Sequence, residues 1–336
     1  MTAPLSIYVL VDALGWEVLR DRPFLDDLLA ERRWLVTVLG DAAAATPTVL
    51  TGTTPSQHGR WARRYRDPAR RVLTSAPPFD VSERHAEAPS IFHDMRQAGL
   101  RYECLTPLRG TDPELLEVAA ARAAATDARV LFVHLTGLDA QLREHLHEPE
   151  TVLTLLGRYE RGLRRVFEAA RRARRDVRLF VFSAYGVTPV RWTYDLRRDV
   201  ERLGLRSSDD YLAVYDATMA RFWVENPGAR QALTALLDDH PCGTLMSPGE
   251  LQRLGVWFED GRYYHLLFLM KGGMLLCPSE RQSGRPAGMP GYHPSEPTAD
   301  GALLSTVPVD KAVDHVTSVR TPVLEDLELA TAEQAA

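Results

Sequence analysis

The sequence predicts an α/β fold, a mostly parallel sheet flanked by helices. Three continuous apolar, β-rich runs carry the prediction: 6–11, 128–135 and 177–182. Strands buried on both faces of a parallel sheet read this way, whereas a half-solvated strand alternates. The second observation lies between the last two runs. There Val152, Leu155, Leu156, Tyr159, Leu163, Val166, Phe167 and Ala170 recur at helical spacing. One apolar helix face between two strands gives the order strand, helix, strand.

Taken in order, the first run ends at Asp12, on the carboxyl side of a strand, where open α/β sheets place their ligands. After the third run the pattern changes. Residues 193–276 mix helical and short-strand periodicity, as expected of an inserted cap. Proline and glycine thicken from Gly272 to Gly301, which reads as a long loop returning to the main sheet. The expected division is a core over 1–192, a small cap over 193–276, and a core return with a C-terminal tail over 277–336. No internal repeat or low-complexity linker is visible.

At 336 residues and 45% hydrophobic, the chain can bury a large core. Its net charge of −5 argues against a dedicated nucleic-acid binder, which needs a basic face. The arginine clusters at Arg32-Arg33, Arg70-Arg71 and Arg171 to Arg175 read as solvated helix ends and faces. Cys104, Cys242 and Cys277 are few, odd in number and widely spaced, so neither a disulfide framework nor a cysteine metal knuckle is implied. The first apolar run is far too short to span a bilayer and no charged segment precedes it. The expectation is a cytoplasmic protein with no membrane partner.

Five segments bear on function. They are Val11-Asp12-Ala13-Leu14-Gly15-Trp16; Pro47 to Gly59, containing Thr51-Gly52, Pro55 and His58-Gly59; Leu138-Asp139; Tyr215 to Trp223; and Gly288 to Pro294. In this order, and over residues 5 to 305, they resemble the nucleotide pyrophosphatase/phosphodiesterase branch of the alkaline phosphatase superfamily. The resemblance implies an alkaline phosphatase-like sheet with a cap. It also implies a chemistry in which two zinc-like ions on Asp and His ligands activate a Thr or Ser nucleophile for in-line displacement.

Carried over position by position, the family pattern breaks. Asp12 and Asp139 keep the carboxylates. The nucleophile, nine residues before Thr51, falls on Ala42. The histidine four residues after the second aspartate is Arg143. The Asp-His pair expected in Ser183-Ala184-Tyr185-Gly186 is Ala184-Tyr185, and the histidine before Gly291-Tyr292 is Pro290. The anchors Gly52, Gly59, Gly186 and Gly291 stay in place, so a shifted register does not explain the changes. Thr46 or Thr48 could stand in for the nucleophile, but no nearby residue restores the ligands. Two aspartates without imidazole partners make a poor zinc site, so neither a metal nor another cofactor is expected.

With the dications gone, Asp12 and Asp139 need a cation or a proton. Arg143 is placed to bridge both carboxylates with a covalently attached charge. Tyr185 reads either as a phenolic acid or base or as an aromatic plug. His293, just past the final motif, is expected to face the cleft, and Trp16, Trp61 and Tyr292 to line the substrate site, with Tyr65 and Trp192 at its mouth. His134, inside an apolar strand, reads as a core histidine and His58 as a structural member of its turn. His145 and His147, with Glu144 and Glu148, read as a solvated loop.

The candidate catalytic set is therefore Tyr185, Arg143, Asp12, Asp139 and His293, acting on a small-molecule ligand in the former metal cleft. The leading expectation is a metal-independent, repurposed enzyme of small-molecule biosynthesis, working by acid–base chemistry such as cyclisation, isomerisation or elimination. The Arg- and Ala-rich composition suggests a high-GC bacterium. A non-catalytic pseudoenzyme and a residual single-metal phosphodiesterase on Asp12 and Asp139 are the alternatives.

Overall fold

The first apolar run forms the strand Leu5–Val11, buried at every position. The structure, a computed structural model, describes residues 4–67, 69–70, 72–77, 88–106, 110–280 and 283–329, so Arg71 and the last seven residues lie outside it. Val130–Leu135 and Val177–Ser183 flank the first strand on either side, both parallel to it. The six-stranded sheet runs Glu31–Leu35, Gly301–Ser305, Val177–Ser183, Leu5–Val11, Val130–Leu135, Tyr102–Leu105. Only Gly301–Ser305 is reversed, antiparallel to both its neighbours. The sheet is mixed α/β and mostly parallel, with its doubly buried centre made of the three runs that are nearly all apolar.

The amphipathic pattern after Pro149 becomes the 25-residue helix Pro149–Ala173, which buries Val152, Leu155, Leu156, Tyr159, Leu163, Val166, Phe167 and Ala170. It packs on Asp112–Ala125, a helix started by a capping box of Thr111 and Glu114. Gly162 allows the close approach: a Cβ there would stand 2.5 Å from Leu116. Both helices lie against the same sheet and share one apolar core with it.

A second, antiparallel sheet holds Tyr211–Tyr215, Met219–Val224, Leu266–Met270 and Gly243–Leu245 in that order. The helix Pro227–Leu237, capped by Asn226, packs its Leu233 and Leu237 into the apolar cluster of this sheet with Phe222 and Phe268. Part of the same stretch belongs to the main core: Val256, Phe258, Tyr263 and Tyr264 join that cluster. The bond from Ser56 N–H to Gly255 C=O, 2.8 Å, fixes the junction. The insertion is welded to the core at this edge.

Two loops meet at the carboxyl end of the sheet. A Cβ on Gly15 would lie 2.4 Å from the Gly186 Cα, and one on Gly186 would lie 2.5 Å from the Thr298 carbonyl. Gly186 N–H donates to Ala299 C=O at 2.7 Å and Trp16 N–H to Asp300 C=O at 3.0 Å. This contact fixes where the segments after Asp12 and after Ser183 point, and so fixes the site.

Candidate active site

Asp12 leaves the first strand with its N–H bonded to Leu135 C=O at 2.8 Å. Its Oδ1 lies 3.0 Å from His134 Nε2, and both side chains are largely buried. The register pairs Leu10 with His134, so the imidazole sits at the sheet edge beside the aspartate. His134 is buried and satisfied, as a core histidine is, and the group that satisfies it is the Asp12 carboxylate. A deeper layer holds its strand end. Buried Asp112 accepts from Thr136 N–H at 3.2 Å and Gly137 N–H at 2.8 Å, and from the Tyr159 hydroxyl.

Asp139 sits in the first turn of the helix Gly137–His145. Its Oδ2 pairs with Arg143 Nη2 at 2.8 Å, one turn along, while Oδ1 is buried without a hydrogen bond to any described residue. Burial pushes the Asp139 carboxyl up, the Arg143 guanidinium opposes this, and the charges of Asp12 and Asp41 add to the rise. The expected two-carboxylate bridge is corrected here. Arg143 pairs with Asp139 and reaches Met289 Sδ at 3.2 Å, while Asp12 is taken by His134.

Tyr185 is 1% exposed, and its hydroxyl has no hydrogen-bond partner among the described residues. Burial, then the negative charges of Asp12 and Asp139, hold the phenol far above its ordinary range. Its ring fills the centre of this cluster, the placement that the plug reading expects. Preceding it, Ala184 is fully buried and its carbonyl accepts from Thr37 Oγ1 at 2.7 Å.

Ala42 opens the helix Ala42–Thr51, with Asp41 as N-cap accepting from Ala43 N–H at 2.9 Å. Inside this helix the Thr48 hydroxyl bonds Ala44 C=O at 2.9 Å and His58 Nε2 at 3.0 Å, so Thr48 and His58 are structural. Burial lowers His58 to about 4. The helix start borders a cavity of ≈ 530 Å³ whose wall includes Asp12, Asp41, Ala42, Thr46, Trp61 and His134, with Arg60, Arg63 and Tyr263 completing it. A narrower space of ≈ 30 Å³, enough for about one water, shares Asp41, Trp61 and Ala62 and is closed by Met289 and Pro290. Trp61 is held rigid: its indole N–H donates to Leu39 C=O at 2.7 Å, and its ring meets Tyr263 and Tyr264 edge-on.

Three expected site residues lie elsewhere. His293 faces a different surface depression, with Nδ1 2.8 Å from Ser295 Oγ and Nε2 3.3 Å from Glu250. Gly291, at φ +95, turns the chain between the final motif and His293. Tyr292 is fully buried in the apolar cluster of the insertion, its hydroxyl bonded to Met274 C=O at 2.8 Å. Trp16 packs on the main core with Arg32 over its ring. Trp192 is 66% exposed, Tyr65 stacks edge-on to Tyr263, and His145 pairs with Glu144 and Glu148 on the surface. The residues missed by sequence reasoning are His134, Asp41, Arg60 and Arg63. The legible sign for His134 was a polar residue at the penultimate position of a buried strand, level with Leu10, two residues before Asp12 on the neighbouring strand.

In fold the chain is similar to solved nucleotide pyrophosphatase/phosphodiesterase structures, with an alkaline phosphatase-like, mostly parallel sheet. Murine ectonucleotide pyrophosphatase/phosphodiesterase 5 matches with a TM-score of 0.78 at 16% identity, over 97% of this chain and 95% of that one. The same murine protein, as an inactive Thr-to-Ala variant in complex with AMP, matches at 0.77 and 16% over 97% and 96%. The human protein matches at 0.78 and 14%, over 97% and 95%. No family model and no curated protein matches the sequence.

The donor set does not fit the two metal ions that this fold implies. Among the described residues no group of three or more His, Cys, Asp or Glu side chains is placed to hold a metal ion. Asp139 is engaged by a permanent guanidinium, which repels a dication, and Asp12 is engaged by His134. Nor, among the described residues, is any helix long and apolar enough to cross a membrane.

Proposed function

We propose that the chain is a metal-independent, repurposed member of this fold that binds a small molecule and performs acid–base chemistry on it. The observation that carries the proposal is the Asp12–His134 pair, 3.0 Å apart, on the wall of a ≈ 530 Å³ cavity. A carboxylate on one imidazole nitrogen fixes the ring and its tautomer and stabilises the imidazolium once a proton arrives. His134 Nδ1 makes no hydrogen bond to any described residue and remains available for proton transfer. With Ala42 at the nucleophile position, a covalent phosphoryl intermediate has no attachment point there. Cyclisation, isomerisation or elimination needs only such a proton-handling pair and an enclosed ligand. A bacterial biosynthetic role and a cytoplasmic setting belong to the same proposal, supported by composition alone.

The experiment uses 5-nitrobenzisoxazole, whose ring opening reports a general base in a cavity without any metal. Turnover is expected in excess chelator, falling by about a hundredfold in His134→Ala and less in Asp12→Asn. Background-level turnover by the wild-type protein would leave a ligand-binding pseudoenzyme as the better account. Hydrolysis of bis(p-nitrophenyl) phosphate that appears with zinc or manganese would establish the residual phosphodiesterase instead.

A further inference from the structure

The wall that carries Asp12 and His134 also carries two guanidinium groups, Arg60 and Arg63. Arg60 is half-buried and donates to Pro77 C=O at 2.9 Å. Arg63 is exposed, and its guanidinium makes no ion pair or hydrogen bond with any described residue. A third group completes the set. Thr46 is 3% exposed and lines the cavity, yet its hydroxyl has no partner among the described residues. Its neighbours on the same helix behave otherwise: Thr48 Oγ1 donates to Ala44 C=O at 2.9 Å and Thr51 Oγ1 to Pro47 C=O at 2.8 Å.

The Thr46 hydroxyl opens onto the cavity, where a ligand oxygen can take the place of solvent. Position explains its access. Thr46 stands one turn after Ala42, on the same helix face, and both line the cavity.

We propose that this cavity receives a small monoanionic carboxylate, its two oxygens shared between Arg63 with Arg60 and the Thr46 hydroxyl. The proposal rests on the ligand-cleft reading above and names the substrate class. A planar carboxylate matches a guanidinium fork. Charge decides between a mono- and a dianion. The cavity lining carries two guanidinium groups, Arg60 and Arg63, and two carboxylates, Asp12 and Asp41, while Arg143 is committed to Asp139. Balanced in this way, the wall tolerates one added negative charge far better than two. Trp61 and Tyr263 supply the apolar surface for the rest of the molecule.

Calorimetric titration with phenylacetate, phenylacetamide and phenylphosphonate tests this. Phenylacetate should bind at least about tenfold more tightly than its amide, with Thr46→Val and Arg63→Gln each weakening it by about tenfold. Thr46→Ser should restore the binding and exposed Arg172→Gln should leave it unchanged. Unchanged melting temperatures confirm that the variants fold. Absence of phenylacetate binding, equal binding of the amide, tighter binding of the phosphonate, or indifference to both cavity variants would each overturn the proposal. Selective phenylacetate binding with no benzisoxazole turnover would sink the acid–base reading alone. Turnover without carboxylate preference would sink only this one.

Discussion

Asp139 has one oxygen paired with Arg143 and the other buried with nothing to accept from. Tyr185, its neighbour, buries a hydroxyl with no partner among the described residues. Changes at Arg143 and at Tyr185 are expected to act in opposite directions. Arg143→Met leaves a buried carboxylate without its cation and should cost about 2–3 kcal/mol at neutral pH. Burial already raises the Asp139 pKa, and removal of the guanidinium raises it further. The native state then binds a proton that the unfolded state releases, so the penalty is present at neutral pH and relieved on acidification. Urea denaturation at pH 5 and 7.5 checks this. An equal loss at both values, or no recovery in Arg143→Met with Asp139→Asn, would refute the account. Tyr185→Phe removes only the unpartnered hydroxyl and should stabilise the fold by about 1 kcal/mol; a clear destabilisation would reveal a bond that the plug reading omits.

The elements of this fold differ in how plainly the sequence announces them. Leu5–Val11, Val130–Leu135 and Val177–Ser183 are legible because strands buried on both faces leave almost no room for polar residues. Glu31–Leu35 and Tyr102–Leu105 were not, since they are edge strands, half-buried, spelled Glu-Arg-Arg-Trp-Leu and Tyr-Glu-Cys-Leu. The site divides in the same way. Asp12 and Asp139 stand out because they follow strand ends, whereas His134 hides within an apolar run until strand pairing places it opposite Leu10 and its ring reaches on to Asp12. His293 misleads because its distance along the chain from the last motif says nothing about the turn at Gly291. Gly186 was readable as an anchor, and its reason is now geometric. Gly186→Ala would press a methyl group to 2.5 Å from Thr298 C=O and 2.9 Å from Asp300 C=O. Backbone cannot yield as a side chain does, so a loss of about 3 kcal/mol in chemical denaturation is expected. A change within error would mean that the two loops are free to separate.

At the scale of the whole molecule, the junction of core and insertion carries a pH dependence. His58 lies fully buried beneath it, bonded to Thr48, next to Gly59 whose carbonyl accepts from the Tyr263 hydroxyl. Its pKa falls to about 4 in the folded protein through burial. Between that value and the ordinary histidine range the unfolded chain binds a proton that the native one refuses, so stability rises with pH across this interval. Acidification through it should cost about 3 kcal/mol from this residue. His265 and His315 are lowered by burial too and act in the same direction. His58→Gln should flatten the slope of stability between pH 6.5 and 4; an unchanged slope would assign it to other groups. Nearby, Arg221 is fully buried, ion-paired with Asp216, and its guanidinium lies 5.7 Å from both the Trp61 and Trp223 ring centroids. Trp61 belongs to the cavity wall and Trp223 to the inserted sheet. A cation held between two indoles perturbs their excited states, so the protein carries a built-in optical gauge. Its emission should respond both to a guest entering the cavity and to any parting of the two units, with no label attached.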